Sequence, residues 1–325
     1  MTDRTVRIAG IGAHLPSRIL SNEELSTMVD TSDSWIRERT GIARRHIAAD
    51  GETTADLAEA ACRRALDHAG MDASEIDLII VATTTPDFTF PSTGTVLQGR
   101  LGITQGAAFD VQAVCTGFIY ALSVADGFLA RGQARNALVV GAETMSRIVD
   151  WTDRATCVLF GDGAGAMVLS AEDTPSTQRE TGLLATYLRS DGRFKDLLHV
   201  DGGPSSTQTV GHLRMAGNQV FRHAVTNIAE SMTTIADRAG VEIADIDWFV
   251  PHQANQRILE GVAKKLKIPT AKVVSTVADH GNTSAASVPL AFERAVQDGR
   301  IARGDLILME ALGGGFTWGA ALARF

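Results

Sequence analysis

The same short pattern occurs twice in this chain, and that repetition limits the fold more than any other feature. Residues 68–80, His-Ala-Gly-Met-Asp-Ala-Ser-Glu-Ile-Asp-Leu-Ile-Ile, read as a helix end, a short acidic turn and an apolar strand. Residues 238–250, Arg-Ala-Gly-Val-Glu-Ile-Ala-Asp-Ile-Asp-Trp-Phe-Val, read the same way, and Gly70 to Asp77 and Gly240 to Asp247 are both 7 positions. A second match follows in the same order. Cys115 to Gly132 and Asn282 to Gly299 are both 17 positions, both helical, and each leads to a buried strand, Ala137 to Val140 or Leu306 to Met309. The chain therefore reads as two copies of one α/β unit, residues 1–171 and 172–325. Its 325 residues are enough for two such halves. In such sheets ligands bind beyond the carboxyl ends of the strands. This spacing puts Asn282 where Cys115 sits in the other half, so two halves packed about a pseudo-twofold would bring both to one central site.

Around that repeat the chain alternates strands and helices. Residues 5–12 read as a first strand, and Ser21 as a helix cap with Glu24 three positions on. Trp35 and Arg39 are four apart and share a helix face; Trp35 either packs in the core or, with an Arg beside it, stacks a flat ligand. Thr53 to Ala69 is helical and stops at Gly70; Cys62 lies inside it as packing. Asp77 to Thr83, Ala107 to Val111 and Ala137 to Val140 are buried strands, the first broken by Thr84-Thr85-Pro86. The glycine run Gly161 to Ala166 lacks the Lys-Ser/Thr ending of a phosphate loop and precedes a strand, so it reads as close backbone packing, with Cys157 structural beside it. Residues 172–212 are polar and irregular, as a looped connection would be. Asn218 to Ala239 is a long helix ending at Gly240.

Composition removes several function classes. A formal charge of −8 disfavours nucleic acid, and an acidic partner would need a local basic patch. No 18-residue apolar run predicts a membrane span, and the N-terminus lacks a signal-peptide core, so a cytoplasmic protein is expected. Three cysteines without metal-ligand spacing predict neither a disulfide framework nor a metal site.

The chemistry then rests on three stretches. Cys115, in Val114-Cys115-Thr116-Gly117-Phe118, falls between the strand Ala107 to Val111 and the helix Phe118 to Leu129. A thiol at a helix N-terminus is expected to have a lowered pKa and a larger thiolate fraction. His252, opening His252-Gln253-Ala254-Asn255, directly follows a buried strand. Asn282, in Gly281-Asn282-Thr283-Ser284-Ala285, precedes a helix and reads equally as an N-cap; its Asn-Thr-Ser sequon would be unused in a cytoplasmic protein. With Gly313-Gly314-Gly315-Phe316-Thr317-Trp318-Gly319, these stretches resemble β-ketoacyl-acyl-carrier-protein synthase III over essentially the whole chain.

That resemblance implies an α/β thiolase-like fold: two βαβαβαββ halves in five layers, α/β/α/β/α, usually as a homodimer. It implies a decarboxylative Claisen condensation without a cofactor beyond the CoA thioester substrate, with acyl-CoA and acyl-carrier protein as partners. Cys115 would carry the acyl group. The N–H groups of Cys115 and Gly314 would form the oxyanion hole, and His252 and Asn282 would stabilise the enolate. Trp35 and Arg154 resemble the pair that sandwiches the CoA adenine, with Arg39 and Asn255 as further contacts; Ala155 departs from a glycine common there. Phe90 resembles a residue reaching the partner subunit's acyl pocket, and Phe160 a pocket wall. Gln253, Ala254, Asn255, Gln256 and Arg257 with Arg222, Lys264 and Lys265 would meet the acidic carrier protein, or are a solvated helix face. The rivals are a thiol hydrolase, whose histidine must act as base to the cysteine, a related acyltransferase or condensing enzyme of secondary metabolism with the same Cys-His-Asn set, and a non-catalytic binding module, against which the intact set argues.

Overall fold

The computed structural model describes residues 4–173 and 181–325. Residues 1–3 and 174–180, the latter within the expected connection, lie outside the described residues. The first half runs β1 (Arg4–His14), α1 (Thr54–Ala69), β2 (Leu78–Ala82), α2 (Thr93–Arg100), β3 (Ala107–Val111), α3 (Gly117–Ala130), β4 (Asn136–Thr144) and β5 (Asp162–Asp173). Its five strands form one sheet in the order β1-β5-β4-β2-β3. The second half runs β6 (Gly182–Ser190), α4 (Gly217–Ala239), β7 (Trp248–Pro251), α5 (Gln256–Leu266), α6 (Ser287–Gln297), β8 (Leu306–Gly313) and β9 (Thr317–Arg324). Its sheet has the order β6-β9-β8-β7, and Val273 bridges Phe249 in parallel where β3 lies in the first sheet. Within 172–212, read as loops, β6 is a nine-residue strand. Polar residues at its far end obscured the apolar Leu183-Leu184-Ala185 that begins it.

The two halves correspond at a constant offset of 170 positions. Gly70 and Gly240 both end their helices at positive φ, +62° and +69°, a conformation glycine adopts without a Cβ penalty. Asp77 donates its N–H to Asn136 and accepts that residue's N–H on its carboxylate; Asp247 does the same with Leu306. Val114 and Ser284, also 170 apart, both take positive φ, +51° and +49°, at the turn before the next helix. By this register the counterpart of Cys115 is Ala285, not Asn282. The equal spacing to Gly132 and Gly299 misleads because α6 has 11 residues against 14 in α3. Matching from the helix ends slides the register by three.

The layers follow from which faces are apolar. α3 and α6 each touch both sheets and form the middle layer, with Phe118, Ile119, Val288 and Phe292 fully buried. α1 and α2 cover the outer face of the first sheet, and α4 and α5 that of the second. Burying a side chain such as Phe292 is worth about 1.5–3 kcal/mol, and the central layer does so on both sides. The glycine run packs closely as expected: a Cβ on Gly165 would sit 2.7 Å from the Cβ of Pro289 in α6. A smaller cap closes the carboxyl ends of the strands. It contains the antiparallel strand pair Arg18–Ser21 and Arg44–Ile47, the helix Asp33–Thr40 between them in sequence, and the strands Leu198–Val200 and Leu213–Met215 around one apolar cluster. No described helix is long and apolar enough to cross a membrane.

Candidate active site

A cavity of about 360 Å³ opens under the cap, and Cys115, His252 and Asn282 all line it. Cys115 and His252 follow the carboxyl ends of β3 and β7, and Asn282 pairs with the segment Leu159–Gly161 that leads into β5. Cys115 is the middle residue of the tight turn Val114–Thr116 between β3 and α3. That turn is tied to β9, where Thr317 Oγ1 donates to Ala113 O and Thr116 Oγ1 donates to Thr317 O. Gly313 approaches so closely that a Cβ there would sit 2.7 Å from Cys115 N, which explains a glycine at that point. The expected lowering of the thiol pKa does not hold. Cys115 is 4% exposed, and burial pushes it up to about 12. Desolvation outweighs the helix end, so the resting group is the thiol.

His252 is buried beyond β7, with its N–H donating to Glu310 O. Its Nδ1 lies 2.6 Å from Ser287 Oγ, which also accepts the Gln253 N–H at 3.3 Å. If Nδ1 carried the proton, the buried Ser287 hydroxyl hydrogen would lose this acceptor, at a cost of about 1–3 kcal/mol. The hydroxyl therefore donates to Nδ1, and Nε2 carries the ring hydrogen. Burial holds the imidazole neutral by lowering its pKa to about 3. The other half makes the same contact without the chemistry. Ala82 and Gly117, 170 positions before His252 and Ser287, pack so that a Cβ on Gly117 would sit 3.1 Å from Ala82 Cβ.

Asn282 donates its N–H to Leu159 O, and its carbonyl accepts from Gly161 N. Its side-chain oxygen accepts the Ser284 N–H at 2.9 Å in a local turn, while Thr283 and Ala286 hold the cap positions of the turn Ser284–Ala286 and of α6, so Asn282 is not the helix N-cap and its amide NH₂ is left for a ligand. Two buried acids lie outside the cavity lining, Glu143 near Cys115 and Glu310 in a separate small pocket beneath α4 and α5. Glu143 is wrapped by Thr83, Thr84 and Thr85, which the sequence showed only as a strand end. Glu310 is 3% exposed with Oε2 unpaired among the described residues, and burial holds it protonated up to about 8. Its folded pKa lies above its unfolded value near 4.5, so this group makes stability fall as pH rises between those values. Urea unfolding is expected to show that slope, worth roughly 3–5 kcal/mol at most, flattened in Glu310→Gln.

At the cavity mouth the Arg39 and Arg154 guanidinium carbons lie 4.5 and 4.9 Å from the Trp35 ring centroid. Trp35, Arg39, Ala155 and Asn255 line the cavity; Arg154 donates to Asp30 O beside it. Asn255 caps α5 by accepting the Arg257 N–H and donates to Arg39 O. Asn218 and Phe221, at the start of α4, also line the wall. They were missed, although their three-residue spacing puts them on one helix face. Phe160 is a buried wall residue, whereas Phe90 is 84% exposed and away from this chain's own cavity lining. Gly314 is buried in the turn after β8 next to Gly313, with a Cβ position blocked by Leu198 O at 2.6 Å.

Of the expected carrier-protein contacts, Arg222, Arg257, Lys264 and Lys265 are exposed on α4 and α5, and Ala254 lines the cavity. Gln253 is not available to a partner. It is 1% exposed, donates to Pro251 O and Val274 O, and accepts from Thr276 N and Val277 N. Its place next to His252 in sequence concealed that its side chain points into the interior. Gln256 is partly buried and spends its amide on Glu260 and Ser275. Among the described residues no group of His, Cys, Asp or Glu could hold a metal ion.

Comparison with known proteins decides the family. A model of 3-oxoacyl-[acyl-carrier-protein] synthase III matches residues 109–192, and a model of its C-terminal part matches residues 236–325. The β-ketoacyl-[acyl-carrier-protein] synthase III of Rhodospirillum centenum is 65% identical over 318 residues, 98% of each chain. The chain belongs to the β-ketoacyl-acyl-carrier-protein synthase III family. Its architecture agrees: the 3-oxoacyl-[acyl-carrier-protein] synthase III structure from Aquifex aeolicus superposes with a TM-score of 0.93 at 45% identity, over 98% of this chain and 100% of that one. The Pseudomonas aeruginosa structure gives 0.93 at 41%, over 99% and 98%. This synthase III chain is thus a thiolase-like condensing acyltransferase, and the thiol protease fold of the rival reading is excluded.

Proposed function

We propose that the cavity is the active site and that the chain initiates fatty acid synthesis by condensing a short acyl-CoA, such as acetyl-CoA, with malonyl-acyl-carrier protein. The observation that carries this is that one cavity is lined by the Cys115 thiol, the buried His252 imidazole and the Asn282 side-chain amide. The Cys115 sulfur attacks the acyl-CoA carbonyl, the Cys115 and Gly314 N–H groups stabilise the oxyanion, and CoA leaves as the thiol with the proton Cys115 gave up. Malonyl-carrier then loses carbon dioxide, and its thioester oxygen becomes an enolate held by His252 Nε2–H and the Asn282 NH₂. The enolate carbon attacks the acyl carbonyl and expels Cys115 as thiolate, which takes up a proton. These steps need no cofactor. Because Ser287 keeps the ring hydrogen on Nε2, His252 serves as a donor and not as a base for Cys115, which disfavours hydrolysis.

Trp35, Arg39, Arg154 and Asn255 hold the nucleotide end of CoA; adenine stacking on Trp35 requires Arg154 to swing outward and sandwich it. Phe160 and the cap close the acyl pocket. Arg222, Arg257, Lys264 and Lys265 face the acidic carrier protein. A cytoplasmic homodimer is part of this reading: Phe88 and Phe90 are 57% and 84% exposed on one loop, and β3 is a sheet edge, both suited to a second copy. The test is whether an acetyl group loaded on Cys115 leaves as a β-ketoacyl thioester or as free acid.

A further inference from the structure

Arg45 is a fully buried arginine in the cap strand Arg44–Ile47, far in sequence from the three reacting groups. Its acceptors are neutral. Nη1 donates to Asn22 Oδ1 at 2.7 Å and Leu20 O at 3.2 Å, Nη2 donates to Val158 O at 2.7 Å, and Nε has no partner among the described residues. Burial lowers its pKa to about 10, which leaves it a cation at neutral pH. A desolvated charge held by carbonyls is costly to keep, so a purely structural role would be served as well by an apolar side chain.

What Arg45 touches is the scaffold of Asn282. Val158, whose carbonyl it holds, begins the segment that pairs with Asn282: Leu159 O accepts the Asn282 N–H at 2.9 Å, and Gly161 N donates to Asn282 O at 3.0 Å. The stem of Arg45 lies against both flanking glycines. A Cβ on Gly161 would be 3.0 Å from Arg45 Cβ, and one on Gly281 would be 3.1 Å away. The neighbouring residues repeat the contact, with Ala43 N donating to Ala278 O and the Arg44 side chain donating Nε–H to Asp279 Oδ1. We infer that Arg45 is a positioning residue that fixes the loop carrying Asn282, and through it the amide that faces the enolate. This rests on the role given to Asn282 under the proposed function.

The test separates two half-reactions on the same sample: acetyl transfer from acetyl-CoA to Cys115, read by intact mass, and carbon dioxide release from malonyl-acyl-carrier protein. The ratio of the second rate to the first cancels any unfolded fraction. Arg45→Met is expected to lower this ratio about 10-fold and Arg45→Lys about 3-fold, with Asn282→Ala as the reference that lowers it further. Should Arg45→Met not fold, Arg45→Lys decides. An unchanged ratio in the folded Arg45 variants, with Asn282→Ala lowering it, overturns the positioning role alone. An unchanged ratio in Asn282→Ala overturns the reading beneath it.

Discussion

A Cys115→Ala variant is expected to gain no mass from acetyl-CoA and to lose condensation by at least about 10³-fold. The sulfur is the only candidate nucleophile of its kind on the cavity wall: Cys62 and Cys157 are fully buried elsewhere, in α1 and beneath the cap. The substitution is small and sits in a tight turn held by Thr116 and Thr317 rather than by the thiol, so the fold should survive it. Carbon dioxide release from malonyl-carrier should persist in the variant, because His252 and Asn282 are untouched. Intact mass and carbon dioxide release measured on one preparation check both halves of this expectation. A Cys115→Ala protein that still gains one acyl group would remove Cys115 from the mechanism.

Asn282→Ala is expected to show the converse. Acylation of Cys115 should stay within about 3-fold of wild type, and decarboxylation should fall about 10²–10³-fold, the usual effect of removing one donor from a developing oxyanion. The backbone of Asn282 would still bridge Leu159 and Gly161, so the loop keeps its anchor. What is lost is the NH₂ whose partner oxygen is committed to Ser284. Rates of the two half-reactions read this directly. Equal losses in both would mean that Asn282 serves the fold and not the enolate.

The repeat made the fold legible because it preserved local chemistry. Helix, positive-φ glycine, acidic turn and strand recur in both halves, and the aspartates Asp77 and Asp247 make the same backbone contacts. It did not preserve helix length, and the shorter α6 put Asn282 in the wrong register. Cys115, His252 and Asn282 were readable as strand-end and helix-start residues. The state of the thiol was not readable, since it depends on burial by a cap drawn from distant segments. Ser287 stood within reach in sequence, yet its bond to His252 spans 35 positions. Gln253 shows the opposite failure. Its polar side chain and its position beside His252 suggested a surface role, while four interior backbone groups claim it.

The most direct measurement is a chase. Cys115 is loaded from isotopically labelled acetyl-CoA, free acetyl-CoA is removed, and malonyl-acyl-carrier protein is added. The labelled acyl group should leave Cys115 and appear in a β-ketoacyl-carrier thioester, with one carbon dioxide released for each group transferred. Label recovered as free acetate, or retained on Cys115 while unlabelled product forms, would contradict the proposed mechanism.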